Sequence, residues 1–207
     1  MARILHIAGS PDPSASRTRA VAAHFLHHFT QRQGSVAHEL DVWKKELPPF
    51  DAEMVAAKFA VLRGQDATRE QRSLWERAVV LAREFNAADV YLLSVPMWNF
   101  SVPYRLKHYM DVVALPGENW RWSASEGYVP LLENKKAVVI YSSAGEYPLD
   151  LPDARDHQKA LVRQWLAFVG VTDLREINVA PTAAGPQRLE QVLQEAKGAA
   201  RELAGDL

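Results

Sequence analysis

Five short strand-like runs, separated by stretches of helical periodicity, constrain this chain more than any other feature. The runs are Ile4–Ala8, Val36–Val42, Val90–Val95, Ala137–Ser142 and Arg175–Val179. Between the first two, Val21, Phe25 and Phe29 recur every four residues with Ala22 and Leu26 beside them, an apolar helix face that Gly34 is expected to stop. Thr68-Arg69-Glu70-Gln71 reads as a capping box opening a helix through Leu74, Val79 and Phe85. Leu106, Met110 and Val113 mark another helix, Leu161, Leu166 and Phe168 a further one, and a last begins after Gly185-Pro186. The connection from the second run to the third is long enough for two helices, Asp51–Arg63 and Glu70–Asn86. Strands alternating with helices return to a sheet in parallel and cover both its faces. With 207 residues the chain is too short for a (β/α)₈ barrel, which takes about 250. The expected architecture is an open, doubly wound, five-stranded parallel α/β sheet in one domain, residues 1–207.

Composition removes several classes of function. Lys plus Arg number 24 against 25 Asp plus Glu, a net charge of −1 that offers no bulk attraction to nucleic acid or an anionic membrane. The absence of Cys excludes disulfides, thiolate nucleophiles and Cys-bound metals. His6 interrupts the first apolar run, and no stretch approaches the roughly 20 apolar residues of a membrane helix. A cytoplasmic protein is the expectation.

In open parallel sheets ligands bind beyond the carboxyl ends of the strands, where strand order reverses. The loops after the first, third and fourth strands are therefore the place to look. The first, Gly9 to Thr18, carries four hydroxyls (Ser10, Ser14, Ser16, Thr18), the Arg17 guanidinium and the free N–H groups of a helix start. That inventory suits a phosphate, although an ordinary turn with capping hydroxyls would look the same. Neither G-x-G-x-x-G nor G-x-x-x-x-G-K-[ST] occurs, which disfavours a dinucleotide pyrophosphate or a nucleoside triphosphate. A terminal phosphomonoester, as on FMN, fits a hydroxyl-lined loop better, and flavodoxin-like sheets hold that nucleotide at this position. The loop after the third strand, Pro96-Met97-Trp98-Asn99-Phe100, offers a wall for a flat ring and a polar group for its edge, or else simply packs under the next helix. Ser142-Ser143-Ala144-Gly145 after the fourth strand lets backbone approach a ligand closely, as it would in any tight turn.

Pro96–Phe100 followed by Leu106-Lys107-His108-Tyr109-Met110-Asp111-Val112-Val113 resembles the FMN-dependent NADH-azoreductases and related quinone reductases of flavodoxin-like fold. The likeness continues through Gly117–Trp122, Lys135–Val138 and Phe168–Asp173. It implies FMN phosphate contacts from Ser10, Ser16, Arg17 and Thr18. It implies an isoalloxazine held by Pro96, Met97, Trp98, Asn99 and Phe100, and closed by Ser142, Ser143, Ala144 and Gly145. It further implies a homodimer, NADH or NADPH as electron donor, a quinone or azo acceptor, ping-pong turnover, and a substrate pocket lined by Trp120, Tyr147 and Trp165. Three departures stand out. Trp98 replaces a commoner Tyr, Ser143-Ala144 replace a frequent Arg-Gly pair and so remove a cation, and Tyr147 stands where His is frequent. No side-chain nucleophile or base is required, so no catalytic residue is assigned; solvent or Tyr147 could supply a proton.

Three other functions compete. A flavodoxin-type electron carrier would need an exposed flavin edge, against which the Trp120-Arg121-Trp122 arm argues. A hydrolase lacks its G-x-S-x-G elbow. A flavin-free interaction module built on the Trp-rich arm would purify without cofactor. His24 and His28 stand at a chelating spacing, but no H-E-x-x-H accompanies them and no metal is expected.

Overall fold

The structure, a computed structural model, describes residues 2–31, 35–151 and 153–207; the expected helix stop at Gly34 lies outside the described residues. Strand β1 (Arg3–Ala8) leads into helix α1 (Arg17–Thr30), followed by β2 (Val36–Asp41), α2 (Ala52–Arg63), α3 (Arg69–Asn86) and β3 (Val90–Pro96). Then come α4 (Tyr104–Val113), the short strands β4 (Trp120–Ser123) and β5 (Gly127–Pro130), β6 (Lys136–Ser142), α5 (His157–Val169), β7 (Asp173–Val179) and α6 (Pro186–Asp206). The five long strands form one parallel sheet in the order β2-β1-β3-β6-β7. The order reverses between β1 and β3, so the loops after those two strands diverge and leave a crevice at the carboxyl edge.

Alternation along each strand sends successive side chains to opposite faces, and both faces are buried. Ile4, Leu92 and Ile140 pack with Phe25 of α1 and Ala196 and Ala200 of α6. Leu5, Ile7, Leu93 and Val139 pack on the other face with Met54, Phe85, Leu106 and Leu166. The expected capping box is present: the Gln71 N–H donates to Thr68 Oγ1 while Gln71 Oε1 accepts from the Thr68 N–H.

Several strands run one or two residues beyond the expected bounds, as β7 does from Asp173, and two departures have a clear physical reason. Val42 lies beyond β2, because the Asp41 carboxylate and carbonyl take N–H bonds from Trp43, Lys44 and Lys45 and turn the chain off the sheet. The Trp120-Arg121-Trp122 arm is one strand of the antiparallel β4–β5 hairpin, pinned by an Arg121–Glu126 ion pair at 2.9 Å. Two four-residue strands carry too little alternation to be recognised by pattern.

Candidate functional site

Three loops meet at the carboxyl edge of β1, β3 and β6. The first leaves the sheet pressed flat against it. The Gly9 N–H donates to the Ser94 carbonyl at 2.9 Å, and a Cβ on Gly9 would lie 2.9 Å from that same oxygen and 3.2 Å from Leu106 Cδ2. The Gly9 carbonyl accepts the indole N–H of Trp43 at 2.9 Å. Farther on, Asp12 Oδ1 gathers the Ser14 N–H, the Ser14 hydroxyl and the Ala15 N–H at 2.9, 2.7 and 3.1 Å. Those bonds, the Ser14 hydroxyl first, hold Asp12 below the usual carboxylate range. Ser16 caps α1, its Oγ accepting the Arg19 N–H, and lies 3.2 Å from the hydroxyl of fully buried Thr18. The first helical N–H groups, on Arg17 and Thr18, precede the first i→i−4 bond, Ala20 N–H to Ser16 O, and have no acceptor within the helix. The Ser16 hydroxyl, those amides and the Arg17 guanidinium form the donor set that a phosphomonoester needs. Ser10 is nearly buried, with its hydroxyl 3.4 Å from the Asp12 carbonyl.

The second loop is strained. Trp98 and Ser101 exchange two backbone hydrogen bonds, at 2.8 and 2.9 Å, closing a turn whose central residues are Asn99 (φ 47°) and Phe100 (φ 68°). Asn tolerates the left-handed region; a Phe held there costs on the order of 1–3 kcal/mol, and such strain concentrates at ligand-binding turns. Phe100 is half exposed, so packing does not repay that cost within the chain. Replacing Phe100 by Gly is therefore expected to leave stability unchanged or raise it by up to about 1 kcal/mol. Urea unfolding checks this, and a clear loss of stability would mean that the Phe100 ring is packed more tightly than its exposure indicates.

The third loop is pinned from below. The Thr182 N–H and hydroxyl both donate to the Ser143 carbonyl at 3.0 Å, and Asn178 Nδ2 donates to the Tyr147 carbonyl at 2.9 Å. The Ser143 hydroxyl turns inward onto the Gly145 carbonyl at 2.8 Å. The Met97 N–H donates to the Ser142 carbonyl at 2.7 Å, tying this loop to the second. Between them lies a cleft of about 220 Å³ lined by Met97, Asn99, Phe100, Ala144, Gly145 and Tyr147. The fold thus brings together residues that lie about 50 positions apart in sequence. A Cβ on Gly145 would meet only Tyr147 Cε2, at 3.4 Å, an ordinary contact, so the glycine keeps this lip of the cleft low without being sterically required. Strain on one lip, a glycine on the other and anion donors along the rim together fit FMN.

Neighbours absent from the sequence reading complete the rim. Trp43, besides holding Gly9, places its ring 5.6 Å from Trp98 and 5.3 Å from Tyr104. It follows β2 at the same edge, and inspecting that loop as well would have found it. Behind Tyr147, buried Lys159 pairs with Asp156 at 2.6 Å and lies 5.8 Å from the Tyr147 ring centroid, as does the Arg155 guanidinium. Cations from α5 and the preceding loop thus stand behind a loop that lacks an arginine of its own.

Trp120 and Trp165 are not brought to this cleft. Helix α5 starts at the carboxyl edge, where Gln158 Nε2 donates to the Val95 carbonyl, and ends at the opposite edge, where the Val169 carbonyl accepts from the Leu132 N–H. Trp165, late in α5, packs on Phe85 with centroids 5.3 Å apart, and Trp120 packs on Phe168 at 5.2 Å. Trp165 lines a depression of about 290 Å³ with Lys58, Met110, Leu161 and Phe168; Trp120 lines another of about 250 Å³ with Phe59, Leu62, Trp122 and Tyr128. On α1, the His24 and His28 rings meet edge to face at 4.7 Å, and burial followed by the His28 charge pushes His24 below its ordinary pKa. Among the described residues no helix is long and apolar enough to cross a membrane.

Comparison with known proteins places these features in context. The flavodoxin-like fold family matches residues 2–204. The FMN-dependent NADH:quinone oxidoreductase of Desulfotalea psychrophila is 35% identical over 208 residues, covering 100% of this chain and 98% of the relative. The FMN-dependent NADH:quinone oxidoreductase 2 of Pseudomonas syringae pv. tomato is 38% identical over 203 residues, covering 97% of each. Among solved structures, an FMN-dependent NADH-azoreductase from Bacillus anthracis in complex with FMN superposes with a TM-score of 0.84 at 26% identity, covering 99% of this chain and 100% of the other.

Proposed function

The chain belongs to the flavodoxin-like fold family, and from that premise we propose that it is an FMN-dependent oxidoreductase carrying reducing equivalents from NADH or NADPH to quinones or azo compounds. The observation that carries the reading is end-to-end similarity to FMN-dependent NADH:quinone oxidoreductases in a chain whose three edge loops form an anion-binding turn beside a flat, strained cleft. FMN bound there supplies a ring able to take a hydride from the nicotinamide and hand two electrons to the acceptor.

The protein's work is binding and placement. The α1 amides, Ser16 and Arg17 hold the phosphate; Thr18 supports Ser16 from beneath and Ser10 shapes the loop. Pro96 carries the chain off β3, after which Met97 and Phe100 brace the ring face. Asn99 meets its polar edge, and Trp98, stacked against Trp43, flanks the wall. Ser142 and Ser143 tie the far loop in place, so that Ala144 and Gly145 approach the ring closely and Tyr147 closes the side. Donor and acceptor use one cleft in turn, which gives ping-pong kinetics.

The reading includes a homodimer, as the resemblance to the azoreductases implies. Trp120 and Trp165 are buried against Phe168 and Phe85, away from the cleft of their own chain, and line depressions open to a second copy. The exposed Phe59, Leu62, Trp122 and Tyr128 beside Trp120 form the kind of contiguous apolar surface that marks an interface. The whole chain, 1–207, acts as one flavin-binding domain, in the cytoplasm.

The purified protein is expected to be yellow, to release FMN on denaturation, to sediment as a dimer, and to oxidise NADH rapidly when benzoquinone is added. Turnover only through a separate reductase would favour the electron-carrier alternative. A colourless protein that does not take up FMN would end the proposal.

A further inference from the structure

Beneath the anion-binding turn, on the α1/α6 side of the sheet, lies a polar enclave that the reaction does not use. Its centre is His6, in the middle of β1 and 2% exposed. His6 Nε2 is 2.7 Å from Ser94 Oγ on β3, and Nδ1 is 3.2 Å from Glu39 Oε2 on β2, off-line for a conventional hydrogen bond. Arg19 of α1 reaches the same group, with Nη2 2.5 Å from Glu39 Oε1 and Nη1 3.0 Å from Asp41 Oδ2. Lys44 stands at the exposed mouth, 3.9 Å from Asp41. From β3 comes only the Ser94 hydroxyl. Among the described residues two carboxylates therefore face one enclosed cation, with a second in solvent, and His6 is the one group of the enclave able to add a positive charge.

The enclave touches the turn at two points. The Arg19 backbone N–H donates to Ser16 Oγ at 3.2 Å, and the Ser94 carbonyl accepts the Gly9 N–H at 2.9 Å. An anion seated on the turn thus adds negative charge above a site whose two carboxylates are matched by one enclosed cation, Arg19, and one in solvent, Lys44.

We propose that His6 is a proton-linked positioning residue for the phosphate anchor: seating a phosphomonoester dianion on the Ser16-Arg17-Thr18 turn draws a proton from solvent onto the free nitrogen of His6. The inference rests on the reading of that turn as the FMN phosphate site. Only a proton moves. The imidazolium then donates toward both Ser94 Oγ and Glu39, offsets the phosphate charge, and keeps Arg19 clamped between Glu39 and Asp41. A neutral or permanently charged His6 would serve as a buried spacer with no such linkage, since only a change of protonation couples affinity to pH.

The test is calorimetric titration of the flavin-free full chain with FMN, and separately with riboflavin, at about pH 7.5 in two buffers of different ionisation enthalpy. Near that pH the free phosphate, with a second pKa of about 6, is already largely dianionic. Net proton uptake is expected with FMN, none with riboflavin, and none with FMN in His6→Gln. From about pH 8 to 6, FMN affinity relative to His6→Gln should rise on the order of tenfold, the effect of one partly buried charge on another. Should His6→Gln fail to fold, Glu39→Gln, which removes the carboxylate that holds the added proton, is expected to lower the uptake instead.

FMN binding without proton uptake, or with uptake equal for riboflavin or retained in the variants, would overturn the linkage while leaving the cofactor reading intact. Equal affinity for FMN and riboflavin would instead remove the phosphate from this turn, and binding of neither would remove the cofactor.

Discussion

Gly170→Ala is expected to lower the free energy of unfolding by about 4 kcal/mol, the combined effect of a forbidden backbone angle and an overpacked contact. Gly170 ends α5 at φ 104°, ψ 11°, its N–H bonded to the Leu166 and Ala167 carbonyls. A Cβ there would drive into the carbonyl oxygen of Leu132, the residue whose N–H bonds to Val169. Neither partner can yield, because each is backbone fixed by its own hydrogen bonds, so α5 must lift from the segment leading to β6. Gly64 provides the control. It ends α2 at φ 62°, ψ 34° with nothing within 4 Å of a built Cβ, so Gly64→Ala carries only the left-handed penalty of about 1 kcal/mol. Urea unfolding of the two variants should show this contrast at unchanged m; equal losses would mean that the Leu132 contact is not made in solution.

What the sequence disclosed and what it hid divide along the range of the interaction. The Thr68–Gln71 capping box is local, four residues whose side chains serve one another's backbone, and it was readable residue by residue. The three central strands were readable because burial on both faces forces continuous apolar runs such as Val90–Val95, whereas the edge strands β2 and β7, exposed or half-buried over much of their length, showed only alternation. The edge loops were readable from topology: once strands are parallel, their carboxyl ends share a side. The enclave around His6 had no such signature. Glu39 faces His6 only because β1 and β2 pair in the register His6↔Glu39, and Arg19 reaches them from a helix whose apolar face gives no hint of it. Trp165 and Trp120 show the converse. Their likeness to pocket residues was visible along the chain, but the direction of α5 carries Trp165 toward the far edge of the sheet, away from the cleft of its own chain. The strained Asn99-Phe100 turn shows how a site can break a local rule: residue preference alone would not place Phe at φ 68°.

Ser16→Asp separates the two jobs of the α1 N-terminus. As a cap, Asp is as good as Ser, and its charge interacts favourably with the helix dipole by about 0.3–1 kcal/mol, so α1 and the fold should be at least as stable as in the unaltered protein. As part of an anion site it is the wrong sign. A carboxylate at Ser16 would occupy the donors that a phosphate needs, the Arg17 and Thr18 amides, and face a group carrying about −1.5 to −2 charges. Two unit charges about 4 Å apart at a protein surface repel by about 4 kcal/mol; with some retreat of the phosphate toward solvent, a loss of about 3 kcal/mol remains, roughly a hundredfold in FMN affinity. Riboflavin, which has no phosphate, should bind within about threefold of its affinity for the unaltered chain, a difference of only about 0.7 kcal/mol. Flavin-fluorescence titration with both compounds resolves the cases. A stable Ser16→Asp protein that still prefers FMN as strongly as before would show that the phosphate lies elsewhere. Equal weakening of both flavins would show that the substitution disturbs the ring cleft and leaves the phosphate untested at the turn, in which case Arg17→Glu, on the solvent side of the same helix start, must reproduce the selective loss or the assignment fails.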